Sequence, residues 1–181
     1  MKKLIFLSLL IGMAACTRPG ERDRERILDP DVKMDFQEDA LRLSRELIIV
    51  DTHIDVPYRL EEEWQDISQR TEGGHFDYVR AVEGGLNAPF MSVYIPASYQ
   101  KAGGAKDYAD ILIDRVYEFT EKWPDKFRVA LSPSDIEAHF SEGLISLPMG
   151  MENGAPIEND LANVEYFHER GIRYITLTHS K

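Results

Sequence analysis

Leu47-Ile48-Ile49-Val50-Asp51-Thr52-His53-Ile54-Asp55 opens as a continuous apolar run and closes on polar residues. Four apolar side chains in a row suit a strand buried on both faces, as in a parallel sheet. His53 and Asp55 stand two apart, so on a strand their side chains point the same way. An imidazole nitrogen and a carboxylate oxygen on one side of a strand end suit a zinc ion. The same spacing also occurs in ordinary hydrogen-bonded pairs, so this stretch points toward a parallel sheet and leaves the chemistry open.

Strand and helix signals alternate on either side of it. Upstream, Asp35 is placed to cap a helix with Glu38 three positions on, and Phe36, Ala40, Leu43 and Leu47 recur at helical spacing. Downstream, Phe90-Met91-Ser92-Val93-Tyr94-Ile95 reads as a second strand stopped by Pro96. A long helix is expected from Ala105 to Lys122, with Tyr108, Leu112, Val116 and Phe119 on one face. Phe127 to Leu131 is a short strand or a connector. Ser132-Pro133-Ser134-Asp135 starts a helix that stops by Gly143. Leu144 to Met151 is a third strand, ending at Glu152. Asp160 to Arg170 is expected to be helical, with Leu161, Val164 and Phe167 facing the core and Gly171 as its stop. Ile172 to Thr178 is a fourth strand, ending at His179. Strands alternating with helices argue for an α/β fold with a parallel sheet. Four main strands make about half of a (β/α)8 TIM-type barrel, so residues 35–181 are expected to be the N-terminal half of a truncated barrel domain.

The first residues have a different character. Lys2 and Lys3 precede a short apolar run from Leu4 to Met13, as in a signal peptide. Met13-Ala14-Ala15-Cys16 resembles a bacterial lipoprotein signal cut before Cys16, which would leave that residue lipidated. Residues 1–15 are therefore expected to be removed, and residues 16–34 to form a charged tether carrying Pro19, Gly20 and Pro30. The expected location is the bacterial cell envelope, with the lipid on Cys16 holding the protein to a membrane surface without spanning it. Cys16 is the only cysteine, so no disulfide forms within the chain. The formal net charge is −11, and loss of residues 1–15 leaves 19 basic against 32 acidic residues, or −13. Such a chain lacks the basic face that a nucleic-acid partner requires.

Polar residues recur at the C-terminal ends of the expected strands, the face on which barrel enzymes build their sites. His53 and Asp55, then Glu152, then His179 occupy that edge in turn. These blocks resemble the membrane dipeptidases, the renal dipeptidase-like zinc peptidases. Asp51-Thr52-His53-Ile54-Asp55-Val56-Pro57 is similar to that family's first metal motif, with Ile54 in place of the usual Asn. Phe76 to Arg80, Gly84-Gly85 and Phe90 to Pro96 resemble its second block. Gly150-Met151-Glu152-Asn153-Gly154 resembles its bridging-glutamate block, usually Gly-x-Glu-Gly. Gly171 to His179 resembles its fourth-strand block.

The resemblance implies a dizinc site in which His53 and Asp55 bind one zinc and Glu152 bridges two. It makes Glu152 and His179 the catalytic residues here, with His179 touching the substrate at its scissile carbonyl. Two zinc ions would lower the pKa of a water held between them, and the reaction would be hydrolysis of a dipeptide. The remaining ligands of the family lie on later strands, so this polypeptide alone is expected to have little or no activity. A homodimer is expected of the full-length form. Two other readings stay open: a non-catalytic, surface-anchored fragment, and an amidohydrolase of another small amide. His139 and His168 are expected to sit in last turns of helices, where a partial positive charge suits the dipole. His75 could approach the mouth of the site from its Gly-rich loop. Trp64 and Trp123 are expected to pack, and Glu61-Glu62-Glu63 to be a solvated run.

Overall fold

The computed structural model describes residues 36–179. The signal segment, Cys16, the tether and the Asp35 cap lie outside the described residues. The compact unit that holds the site begins at Ala40. No helix among the described residues is long and apolar enough to cross a membrane.

Helix α1 spans Phe36–Glu46 and buries no residue. Then β1 (Ile49–Ile54), α2 (Val56–Glu62), α3 (Tyr78–Gly84), β2 (Leu86–Tyr94), α4 (Ser98–Ala102) and α5 (Ala105–Lys122) follow. The chain continues through β3 (Phe127–Val129), α6 (Pro133–Ser141), β4 (Ile145–Leu147), β5 (Met149–Glu152), a 3-10 turn (Ala155–Ile157), α7 (Ala162–Glu169) and β6 (Ile172–Ile175). β1, β2, β5 and β6 form a four-stranded sheet in the order β1-β2-β5-β6, with every pair parallel. β3 and β4 form a parallel pair beside it.

The third expected strand is divided by Pro148, which has no N–H to give a ladder. Its carbonyl still accepts from Met91 N at 2.8 Å, so the segment continues in line. β4 serves β3, whereas β5 serves β2 and β6.

The two faces of the sheet differ by strand parity. Met91, Val93, Ile95, Met149, Met151 and Ile172 face the apolar layer, where they join Leu112, Ile113, Val116 and Phe119 of α5. The alternate positions His53, Ser92, Tyr94, Gly150 and Glu152 line the opposite face, and Tyr174 joins them because the β5–β6 register is irregular, Met149 pairing with Ile172 but Met151 with Ile175. Register aligns Ile54 with Met91, Tyr94 with Glu152, and Met151 with Ile175, so the C-terminal strand ends share one edge.

α5 has the expected bounds and buries the expected face. Ser132 caps α6, its hydroxyl accepting from Asp135 N at 3.2 Å, with Pro133 in the first turn. Four expectations need correction. Leu47, just before β1, and Ile49 and Val50 within it are 53%, 37% and 45% exposed, so this run is not buried on both faces, and β1 is an edge strand paired with β2 alone. Phe167 faces the core as expected, but Leu161 and Val164 do not, since α7 starts at Ala162, after Leu161, and turns Asn163 inward in place of Val164. His139 sits in the last turn of α6 as expected, but it is buried and bonds Ser146 Oγ through Nδ1 at 2.9 Å, and burial, then the Arg128 charge, holds its pKa down rather than favouring a cation. Glu61 leaves the solvated run to pair with Arg115 at 2.7 Å. His168, by contrast, is exposed in the last turn of α7. Trp64 stacks on Trp123 at 6.4 Å, away from the polar strand ends, as expected of packing residues.

Candidate metal centre and active site

β1 delivers His53 and runs directly into α2. Asp55 stands at the N-cap of that helix, yet its carboxylate makes no capping bond. It is therefore free to turn toward His53, and its Oδ1 lies 3.3 Å from His53 Nε2. β5 delivers Glu152 from two strands away, with Oε2 at 3.0 Å from the same nitrogen. His179, beyond β6, places Nε2 2.9 Å from the other oxygen of that carboxylate, Oε1. All four expected site residues thus meet.

Donor atoms of His53, Asp55 and Glu152 lie within 4.8 Å of one another. Among the described residues, these two carboxylates pair with histidines, and no lysine or arginine neutralises them. A nitrogen with two carboxylate oxygens, uncompensated by a fixed cation, is a donor set that fits a divalent metal ion.

Neighbouring groups hold this set in place. Ser92, fully buried in β2, donates to Glu152 Oε2 at 3.1 Å. Asp51 Oδ1 accepts from the backbone N of His53 at 3.0 Å. Asn153 follows Glu152 with φ at +80°, a left-handed backbone that Asn tolerates better than most residues. Its Nδ2 donates to the Ile95 carbonyl at 2.8 Å, its Oδ1 accepts from Ala155 N, and its own N donates to Thr176 Oγ1 at 2.8 Å. These bonds tie the end of β5 to its neighbours on both sides. Tyr94 packs edge-on against the His179 ring at 5.1 Å between centroids. The phenol of Tyr174 is pushed above its ordinary pKa by burial, then by the carboxylates of Glu152, Asp55 and Asp51, and stays protonated.

A cavity of about 490 Å³ opens beside His53 and Asp55 and is also lined by Arg59, His75 and Phe76. His75 therefore does reach the mouth of the site. Arg59 braces its loop by donating to the carbonyls of Gly73 at 3.4 Å and Phe76 at 3.3 Å. Motif and spacing in the sequence do not single out Ser92, Asn153 or Tyr174 as site residues. A serine inside an otherwise apolar strand was the available signal for the first, whereas Tyr174 is one aromatic residue among several in its block.

The family description "Membrane dipeptidase (Peptidase family M19)" matches residues 37–181. Dipeptidase 3 of Mus musculus is 31% identical over 148 residues, covering 79% of this chain and 29% of its own. Among solved structures, the probable dipeptidase PvdM from Pseudomonas aeruginosa aligns with a TM-score of 0.68 at 19% identity, covering 80% of this chain and 38% of its own. A metallo peptidase from Rhodobacter sphaeroides, solved with a phosphinate mimic of the dipeptide L-Ala-D-Ala, aligns with a TM-score of 0.66 at 21% identity, covering 75% and 46%. The fold is that of part of a TIM-type barrel such as these proteins have. The chain spans less than half the length of each of these proteins.

Proposed function

The chain belongs to the membrane dipeptidase family, and from that premise we propose that its site serves the zinc-dependent hydrolysis of dipeptides. The observation that carries the proposal is the convergence of His53 Nε2, Asp55 Oδ1 and Glu152 Oε2 at the C-terminal strand ends. His53 and Asp55 would hold one zinc ion, and Glu152 would bridge it to a second. Zinc, when bound, polarises a carbonyl and makes water a competent nucleophile at neutral pH.

The protein's own groups do the rest. Ser92 fixes the rotamer of Glu152, so Oε2 faces His53 while Oε1 faces His179. His179 is exposed and able to meet a substrate, and Tyr94 restricts its ring. It would donate to the oxygen of the scissile carbonyl, where negative charge grows in the transition state. The activity is proposed for the complete site, of which these residues are the part that residues 36–179 carry. A lipid on Cys16 would place that activity at a membrane surface. A Cys16→Ser variant recovered in the soluble fraction would support the anchor, and one still bound to membranes would remove it.

The test of the activity is a chimera in which residues 37–181 replace the matching segment of a complete family dipeptidase. The expected result is dipeptide hydrolysis that chelation removes, zinc restores, and His53→Ala abolishes. A folded, zinc-loaded chimera that cleaves no dipeptide would overturn the proposal.

A further inference from the structure

We infer that Tyr174 is a positioning residue that sets the tautomer of His53 and so aims its Nε2 lone pair at the metal position. The inference rests on the proposed metal site and adds to it a residue outside the ligand set. Tyr174 stands on β6, yet its side chain reaches over the sheet face formed by β5 and β2 to meet β1. There its hydroxyl donates to the Thr52 carbonyl at 3.0 Å. The same hydroxyl oxygen lies 3.0 Å from His53 Nδ1.

A phenol has a single proton to give. That proton is committed to the Thr52 carbonyl, so the contact with His53 requires Nδ1 to be the donor and the hydroxyl oxygen the acceptor. Neutral His53 then carries its lone pair on Nε2. This lone pair faces Glu152 Oε2 at 3.0 Å and Asp55 Oδ1 at 3.3 Å. Three electron-rich atoms converging in this way require a positive species between them, either a proton or a metal ion. The hydrogen bond on the far nitrogen therefore does for His53 what partners of ligating histidines generally do: it fixes ring orientation and tautomer.

Gly150 makes the reach possible. A Cβ at that position would lie 2.5 Å from Tyr174 Cε2, with Cζ and Cε1 nearer still. Phe90 packs against the Tyr174 ring at 5.5 Å between centroids, so the ring keeps a packing partner when the hydroxyl alone is removed. Tyr174→Phe is therefore a selective probe.

The experiment measures zinc affinity by chelator competition for the wild-type protein, Tyr174→Phe and His53→Ala. It also records the imidazole 15N–1H correlations of His53 in the zinc-loaded wild type and Tyr174→Phe. The expected result is roughly 10–100-fold weaker zinc binding in Tyr174→Phe. His53→Ala should lose the site. In the zinc-loaded wild type the Nδ1 proton should exchange slowly, and Tyr174→Phe should lose that protection while, without zinc, it still unfolds in one cooperative transition with a midpoint lowered only by the loss of two hydrogen bonds. Zinc binding unchanged by His53→Ala would overturn the metal reading itself. Binding lost in His53→Ala but unaltered in Tyr174→Phe, with Nδ1 still protected, would overturn the positioning role alone.

Discussion

Gly150→Ala tests how tightly the site is built, because its consequence follows from a single steric conflict. The new Cβ would fall 2.5 Å from Tyr174 Cε2. Ordinary carbon–carbon contact is about 3.5–4.0 Å, so the ring must retreat by at least roughly 1 Å. The Tyr174 hydroxyl is held at 3.0 Å by both Thr52 and His53, and neither bond survives such a shift. Overpacking of this kind costs roughly 1–3 kcal/mol, and two lost hydrogen bonds add about 1 kcal/mol each, giving about 3–5 kcal/mol in all. The assay is urea unfolding of a double-mutant cycle built from Gly150→Ala and Tyr174→Ala. With the ring removed, the methyl group has space, so Gly150→Ala should cost less than about 1 kcal/mol in the Tyr174→Ala background. Equal costs in the two backgrounds, or a single-variant cost below about 1 kcal/mol, would refute the reasoning.

Asp77 is fully buried and accepts from the backbone N of Arg80 at 2.8 Å and of Thr71 at 3.1 Å, besides pairing with the Arg80 guanidinium. Asp77→Ala should cost on the order of 3 kcal/mol in chemical unfolding, since it strands those donors. Burial pushes the Asp77 carboxyl up, but the amides of Arg80 and Thr71 and the Arg80 charge outweigh it and hold its pKa below the ordinary 3.8. Its contribution to stability is therefore complete above about pH 4 and lost as pH falls through the depressed native value, and an Asp77→Asn variant should lack that acid-side loss. His139 behaves in the corresponding way at higher pH: its pKa lies below 6.5, so the unfolded chain takes up a proton first as pH falls. Stability should decline from about pH 6.5 downward, and His139→Asn should flatten that part of the urea-midpoint curve.

Much of the fold is legible wherever one physical signal acts alone. Leu112, Val116 and Phe119 recur at helical spacing on a long segment, and α5 follows them. The Ser132-Pro133 start carries its own hydrogen-bonding logic, and α6 obeys it. The short helices α2, α3 and α4 have five to seven residues each, too few for periodicity to separate them from loops. Leu161, Val164 and Phe167 satisfy a helical pattern, but only Phe167 is buried, because the helix starts after Leu161 and turns Asn163 inward in place of Val164. The site shows the same division. His53, Asp55, Glu152 and His179 are visible because strand ends collect them at one edge. Tyr174 and Ser92 are not, since Ser92 acts across a strand pair, and Tyr174 shares its parity with the core residue Ile172 and meets the site only through the irregular β5–β6 register and the space that Gly150 leaves open.

The most direct measurement is a crystal structure of the zinc-soaked protein with anomalous scattering recorded at the zinc edge. The predicted result is an anomalous peak about 2.0–2.2 Å from His53 Nε2 and from one oxygen each of Asp55 and Glu152. Zinc held elsewhere, with no peak among these three side chains, would contradict the assignment of His53, Asp55 and Glu152 as metal ligands.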